Sequence, residues 1–365
     1  DQEETIIGRS DNLAGDLFIG YSSNGLIDEL KIYQATLSKE EIIGNSGRNL
    51  FAYYSFDEPS NDAIGLRVAR NDEHFSPSLW YFSNFDRDRQ GKPKLTTIDG
   101  YQAAQEGRTT YVNAADLNND LSKIFTDIYL ISYNEGADKI TQNIYSLMLK
   151  YLGFNYGDKG ESDGGLMDSG LCSGNSAVNC RTDRDCQLEN FGYCDSNKAK
   201  LTRDTRRLAD AKDINLLLEA YRSIQRCNND HSVLCSNSSQ CYGDGVCGGY
   251  YPVLKSGSYI VGRSLSVWPS WQATLGNFLG MVLPVDPLNN LAGCSNPYNS
   301  ITCWDENAKS MQCPTSANVY YYYDKNQTDS YAGIKTFNEY SNNWDNDGGL
   351  FEATLNLFNF IPNCP

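Results

Sequence analysis

The apolar positions of this chain change period from one stretch to the next, and each period predicts an element. Between Ala199 and Gln225 apolar residues fall at 201, 208, 211, 214, 217, 218, 221 and 224, the 3.6-residue repeat of an amphipathic helix. Charges at 203, 204, 206, 207, 210, 212, 213, 219 and 222 hold its other faces, and Arg206 and Asp210 are spaced to form a solvated pair of small energetic weight. A second helical face runs from Asp138 to Leu152, with apolar residues at 140, 144, 147, 148, 151 and 152. Leu50–Pro59 alternates and stops at a proline, Thr126–Tyr133 is a short apolar run and Val319–Tyr323 an aromatic one, so all three predict strands. Asp16–Tyr21 and Leu26–Tyr33 flank Asn24-Gly25 and predict a hairpin, followed by a helix capped by Ser38.

These elements group into three parts: residues 1–48, residues 50–165 as a small α/β domain, and residues 171–365 as a cysteine-rich domain, with a Gly/Asp/Ser-rich linker at 158–170. Although the hydrophobic fraction is 40%, 25 Tyr, 14 Phe and 5 Trp supply large apolar surfaces for cores. The net charge of −16 repels phosphate backbones and anionic lipid, which excludes nucleic acid as an expected partner and makes calcium the natural counter-ion. No run approaches the 18 apolar residues of a membrane span. The chain opens on Asp1 with no basic-then-apolar leader, so any signal or anchor is expected to lie outside it or to have been removed.

Twelve cysteines place the chain in an oxidising compartment. Cys172, Cys180, Cys186 and Cys194 are separated by seven, five and seven residues, and Cys227, Cys235, Cys241 and Cys247 by seven, five and five. An even count with no Cys-x-x-Cys pair reads as a disulfide framework rather than a zinc site, because chelation of one ion needs ligands two to four residues apart. An extracellular or cell-surface location follows. Each quartet allows three pairings; the expectation is that each closes on itself, leaving Cys294 with Cys303 and Cys313 with Cys364.

Two stretches resemble known families. Gly25-Leu-Ile-Asp-Glu-Leu-Lys-Ile-Tyr33, followed by Leu37-Ser-Lys-Glu-Glu-Ile42, is similar to the last strands of laminin-G or concanavalin A-like jelly rolls, which implies a terminal piece of a β-sandwich over residues 1–45. A lone hairpin is marginal in water, so that resemblance implies a cover from another element or subunit. The helix with Arg206-Arg-Leu-Ala-Asp210 and Leu218-Glu-Ala-Tyr221, then Gly249-Tyr-Tyr-Pro252, then Leu283-Pro-Val-Asp-Pro287 and a Tyr-rich strand, resembles the soluble part of a bacterial type IV pilin or type II secretion pseudopilin over residues 199–350. Pilins carry an apolar anchor ahead of this helix; Thr182–Lys200 is polar and cysteine-bearing instead. The implied fold class is α+β multidomain: a jelly-roll remnant, a small α/β domain, and a pilin-like long helix plus antiparallel sheet with disulfide-stapled loops.

Candidate chemistry is sparse. Asn343, Asp345 and Asp347 alternate before Gly348, with Glu352 beyond, and form a candidate calcium loop or an ordinary solvated turn. Some pseudopilins bind calcium near this place, whereas an EF-hand would need Glu where Thr354 stands. Asp158, Glu161 and Asp163 are a weaker version. Trp268, Trp271, Trp304 and Trp344, with nearby tyrosines, are candidates for glycan stacking or for core packing. Asn237 and Asn326 open glycosylation sequons. Gly243-Asp-Gly-Val-Cys-Gly248 matches a dinucleotide fingerprint in letters only, with no strand and helix around it. Only His74 and His231 are available for triad or metal chemistry, no Gly-x-Ser-x-Gly or His-Glu-x-x-His motif occurs, and Asp28 and Glu29 point to opposite strand faces, so no catalytic residue is assigned. The reading is a non-enzymatic extracellular structural protein of a surface or filament, with other copies of itself, surface proteins or glycans as partners and calcium as the one candidate cofactor. The alternative is a secreted carbohydrate-binding or adhesion protein; a polysaccharide hydrolase stands third.

Overall fold

The computed structural model describes residues 17–18, 29–33, 50–55, 64–116, 124–155, 169–254, 261–308, 310–312, 316–318, 321–325, 332–339 and 343–345. It is a mixture of helix and antiparallel sheet stapled by disulfides. Contacts divide the chain into two units, residues 1–72 with 77–202 and residues 73–76 with 203–365. The boundaries expected near residues 48 and 165 do not separate these units, because the first cysteine quartet is tied to the sheet that precedes it: Arg181 and Lys198 both converge on Asp99.

The first unit contains β1 (Leu17–Phe18), β2 (Glu29–Tyr33), β3 (Leu50–Ser55), β4 (Ile64–Arg70), α1 (Pro77–Asn84), β5 (Lys94–Ile98), β6 (Tyr101–Glu106), β7 (Thr109–Asp116) and β8 (Phe125–Tyr133). It continues with α2 (Lys139–Tyr151), β9 (Leu152–Gly153), β10 (Gly170–Cys172), β11 (Asn175–Cys180) and α3 (Asp183–Gln187). Helix α4 (Asn197–Ser223) starts here and belongs to the second unit from Arg203 onward.

Strands β4 to β8 form one antiparallel sheet in the order β4-β8-β7-β6-β5. Its meander follows from two tight turns. Asp99 and Gly100, with φ of 48° and 83°, link Ile98 to its partner Tyr101, the two-residue turn whose positive φ suits the twist of the flanking strands. Gly107 opens the equivalent turn between Glu106 and Thr109 at φ 55°. The α/β arrangement expected for residues 50–165 is thereby corrected to antiparallel α+β: two-residue turns reverse the chain, whereas parallel neighbours need long crossovers. Strand β7 is buried from Thr110 to Ala115, and alternate residues show why. Tyr111 packs with Tyr81 of α1, while Thr110 shares a 2.6 Å hydrogen bond with Tyr145 of α2, so the two helices cover opposite faces. Asp138 caps α2 by accepting from the Thr141 amide at 2.7 Å.

The hairpin expected between residues 16 and 33 is also corrected. Strand β2 pairs antiparallel with β3, Glu29 opposite Ser55 through Tyr33 opposite Leu50, and β1 pairs in parallel with β9. Strand β3 offers β2 a full-length ladder, which two-residue β1 does not. The Asn24-Gly25 turn and the Ser38 helix lie outside the described residues.

In the second unit α4 packs on a four-stranded antiparallel sheet, β14 (Arg263–Leu265), β19 (Tyr322–Lys325), β20 (Ala332–Asn338) and β21 (Asn343–Asp345), in that order. Smaller antiparallel pairs join β12 (Arg226–Cys227) to β13 (Cys247–Gly248), β15 (Asn290–Ala292) to β18 (Ser316–Asn318), and β16 (Trp304–Asp305) to β17 (Ser310–Met311). Ala211, Ile214 and Leu218 of α4 meet Tyr251, Leu254, Trp271, Leu275, Leu283, Tyr321, Tyr323 and Ile334 in one core.

Candidate functional site

The charged stripe of α4 was expected to face water; in the second unit its first two turns form a buried polar centre. Arg203, Asp204 and Arg207, spaced three and four residues apart, lie on one side of the helix, and all three are buried. Arg207 is fully enclosed and makes a bidentate pair with Asp286, Nε to Oδ2 at 2.7 Å and Nη2 to Oδ1 at 3.0 Å. Its Nη1 donates to Asp204 at 2.7 Å and to Glu339 at 2.6 Å. Arg203 forks onto the same Glu339 at 2.6 and 3.0 Å. Asp286 belongs to Pro284-Val-Asp-Pro287 and also accepts from the Leu288 amide at 2.9 Å, and Asp204 accepts from the Glu339 amide at 2.9 Å. One turn later Asp210 is buried and accepts from the Tyr321 hydroxyl at 2.8 Å and from half-exposed Arg206 at 3.3 Å, so only the arginine of this pair is solvated.

Burial opposes the charge on Arg207, but Asp286, Glu339 and Asp204 hold its proton affinity well above the ordinary arginine value. Burial likewise pushes Glu339 up, and Arg203 and Arg207 outweigh it, leaving the carboxyl below its usual range. A guanidinium does not release its proton in this range, and each carboxylate is engaged by it. The centre fastens three segments of chain to one helix and presents neither nucleophile nor proton shuttle.

The first unit holds a second buried cation. Lys198 is fully enclosed, with Nζ 2.8 Å from Asp99, 2.9 Å from the Phe154 carbonyl oxygen and 4.2 Å from the centre of the Tyr101 ring. Asp99 is the turn residue at positive φ between β5 and β6; it also accepts from the Phe154 amide at 2.8 Å and faces Arg181 at 3.8 Å. Burial brings Lys198 down to about 8, opposed by the Asp99 charge. Neither centre was legible as a site in the sequence. The signals lay in the Asp99-Gly100 turn dipeptide and in Pro284-Val-Asp-Pro287, but nothing local names their partners.

The predicted site residues are distributed as follows. Ten cysteines form five disulfides, Cys172–Cys186, Cys180–Cys194, Cys227–Cys241, Cys235–Cys247 and Cys294–Cys303, a pattern typical of extracellular or secreted proteins. Cys313 and Cys364 lie outside the described residues. Among the described residues, the groups of three metal-ligating side chains close enough to share an ion are drawn from the two quartets, and each of those sulfurs is already bound in a disulfide of its own quartet.

Asn343 and Asp345 sit two apart in strand β21, paired opposite Asn338 and Thr336. That places the first two of the expected calcium ligands in an extended ladder; Asp347 and Glu352, like Asp158, Glu161 and Asp163, lie outside the described residues. The stacking platform is corrected: Trp268, Trp271 and Trp304 are all buried. Trp268 and Trp304 pack on each other at 6.1 Å, and Trp271 lies against Tyr321 and donates to the Pro284 carbonyl at 2.9 Å. Trp344 is placed only as a residue of β21. Asn237 is exposed and accepts from the Ser239 amide at 3.1 Å; Asn326 lies outside the described residues.

One open cleft is lined by Arg108, Thr109, Tyr133, Asn134, Glu135 and Gln142, with Arg108 and Glu135 paired at 3.2 Å on its exposed rim. No helix of the described residues is long and apolar enough to cross a membrane. Comparison of the chain with protein-family models, curated proteins and solved structures gave no match.

Proposed function

We propose that this chain is a non-enzymatic structural component of an extracellular surface or filament, assembling through sheet-edge contacts between subunits. The observation that carries the reading is where the reactive groups go. The arginines, the lysine and the acids that converge inside the fold neutralise one another, and the described cysteines are oxidised in pairs. Such chemistry serves durability outside a cell. The pilin-like reading of the second unit gains support from the meeting of its two signatures: Arg207 of the helix motif clasps Asp286 of the Pro-x-Asp-Pro motif above an antiparallel sheet. The jelly-roll reading rests on its sequence motif alone, and strand exchange through β2 loses its motive because β3 already pairs with it.

Strand β5 is one of the two outer strands of the five-stranded sheet and is exposed from Lys94 to Thr97, with Leu95 71% exposed. An edge of this kind is a template for another strand. Size-exclusion chromatography with negative-stain electron microscopy tests the proposal. Assemblies that disappear in Leu95→Lys support it, and a monodisperse monomer without fibres at high concentration overturns it.

The second reading is a secreted carbohydrate-binding or adhesion protein, for which the cleft at Arg108 and Glu135 speaks: planar polar groups beside one tyrosine ring suit vicinal hydroxyls. Binding on a glycan array that is lost in Arg108→Ala would favour it over the structural reading.

A further inference from the structure

We infer that the two cysteine quartets are two copies of one disulfide module, carried by the chain ahead of helix α4 and again after it. The spacing of the cysteines suggests a relation; the backbone and side-chain bonding establishes the detail, because the same ordinal position performs the same task in each quartet.

Both quartets pair their first cysteine with the third and the second with the fourth. In both, the first and fourth cysteines face each other across an antiparallel bridge, Cys172 with Cys194 and Cys227 with Cys247. The residue before the first cysteine likewise pairs with the residue before the second, Leu171 with Asn179 and Arg226 with Leu234.

The side chains repeat the correspondence. The residue after the first cysteine bonds twice with the residue before the fourth. Its amide donates to that residue's carbonyl, Ser173 to Tyr193 at 2.8 Å and Asn228 to Val246 at 3.0 Å. Its side-chain oxygen accepts in return from that residue's amide, at 3.0 Å and 2.8 Å respectively. The residue before the third cysteine accepts from the amide after the second: Arg181 donates to Asp185 at 2.8 Å, and Ser236 to Gln240 at 2.7 Å. The fourth cysteine's amide is held by the side chain three places before the third, Cys194 by Asp183 at 2.9 Å and Cys247 by Ser238 at 3.1 Å. A helical turn follows the second cysteine in each case, beginning after Thr182 in the first copy, where it includes the third cysteine, and after Asn237 in the second, where it ends just before it.

Residue identity is not conserved at these posts; hydrogen-bonding capacity is. Asp is replaced by Gln or Ser, Thr by Asn, and Ser by Asn, and each substitute still offers an acceptor oxygen. Unrelated loops that happened to share a cysteine spacing would not agree on so many separate bonds. The quartets differ elsewhere, with two residues fewer before the last cysteine of the second copy. They also differ at outward positions: Leu234, Tyr242 and Val246 are 61%, 81% and 49% exposed where the first copy carries Asn179, Gln187 and Tyr193. The first copy closes without an apolar group at the first two of those positions, so the exposed side chains of the second copy are not part of what closes the module. The module thus combines a bonded skeleton with a variable outer surface.

Peptide mapping of the unreduced full-length protein by mass spectrometry is the first test. First-to-third and second-to-fourth bridges are expected in both quartets, and a different connectivity in either overturns the inference. Asp185→Ala and Gln240→Ala form the second test. Each is expected to lower the melting temperature or to mark its own quartet as the first to be reduced, while Asn179→Leu and Gln187→Tyr, which install the second copy's residues in the first, leave both readouts unchanged. A first copy disrupted by those two exchanges, or an effect from only one of the two alanine variants, overturns the inference.

Discussion

Each unit fully encloses a cation of the same helix, Lys198 in the first and Arg207 beside buried Arg203 in the second, and the two cations are neutralised in different ways. In the second unit Arg207 is shared among three carboxylates, Asp204, Asp286 and Glu339. In the first, Lys198 has one carboxylate within bonding distance, plus a carbonyl oxygen and an aromatic face. The side chains suit these settings. A guanidinium presents five donors in a plane and serves several acids from one point, while an ammonium is compact and can be neutralised by losing its proton. The contrast separates a centre whose charge is permanent from one whose charge depends on pH: burial brings Lys198 to about 8, whereas Arg207 is held well above the arginine value.

Replacing Arg207 with Met breaks the contrast most severely. Arg203 would still fork onto Glu339, but Asp286 would lose its bidentate guanidinium, and removal of one partner from a buried ionic cluster costs on the order of 3–5 kcal/mol. Urea unfolding at pH 7.5 and 9.5 should show the same loss at both, and Arg207→Lys should recover only part of it because a point charge does not reproduce the bidentate geometry.

Lys198→Met is expected to cost about 3 kcal/mol at pH 7.5, the low end for breaking a buried pair, since Asp99 would keep the Phe154 amide and the more distant Arg181. Here the pH dependence has a definite sign. The folded lysine loses its proton near 8 and the unfolded one near 10.5, so between these values the unfolded chain binds more protons and this group adds stability as pH rises. That positive contribution should be present in the wild-type unfolding free energy from pH 8 to 10 and absent in Lys198→Met; matching slopes in the two proteins would refute the assignment.

Tyr321→Phe is the smallest of the three. It removes the hydroxyl that satisfies buried Asp210 and leaves Arg206 in place. A loss of about 1 kcal/mol is expected, and combining it with Arg206→Ala in a double-mutant cycle should reveal coupling through Asp210.

The periodicities of the sequence located both long helices because their apolar faces repeat within a single element, and α2 indeed spans Lys139–Tyr151 from an Asp138 cap. They misassigned the polar face of α4, where Arg203, Asp204, Arg207 and Asp210 are buried. Period alone treats a charge as a mark of solvent; whether a charge is exposed depends on what other segments bring to it, and Asp286 and Glu339 are 79 and 132 residues away from Arg207 along the chain. Strand partners failed for the same reason. The pattern of β2 specifies a strand but not that β3, rather than β1, completes its ladder.

Local chemistry, then, was determined by the sequence itself: where helices run, where Asp99-Gly100 can turn, and that the cysteines belong in two similar quartets. Each of these depends on residues close together in the chain. Only the tertiary structure decided which cysteine joins which within each quartet, that both quartets share one bonding scheme, and that Arg203, Asp204, Arg207 and Asp210 of the charged stripe of α4 lie inside. Those outcomes depend on free energies of burial and pairing between distant segments, and such terms acquire their size only after the segments have met and excluded water.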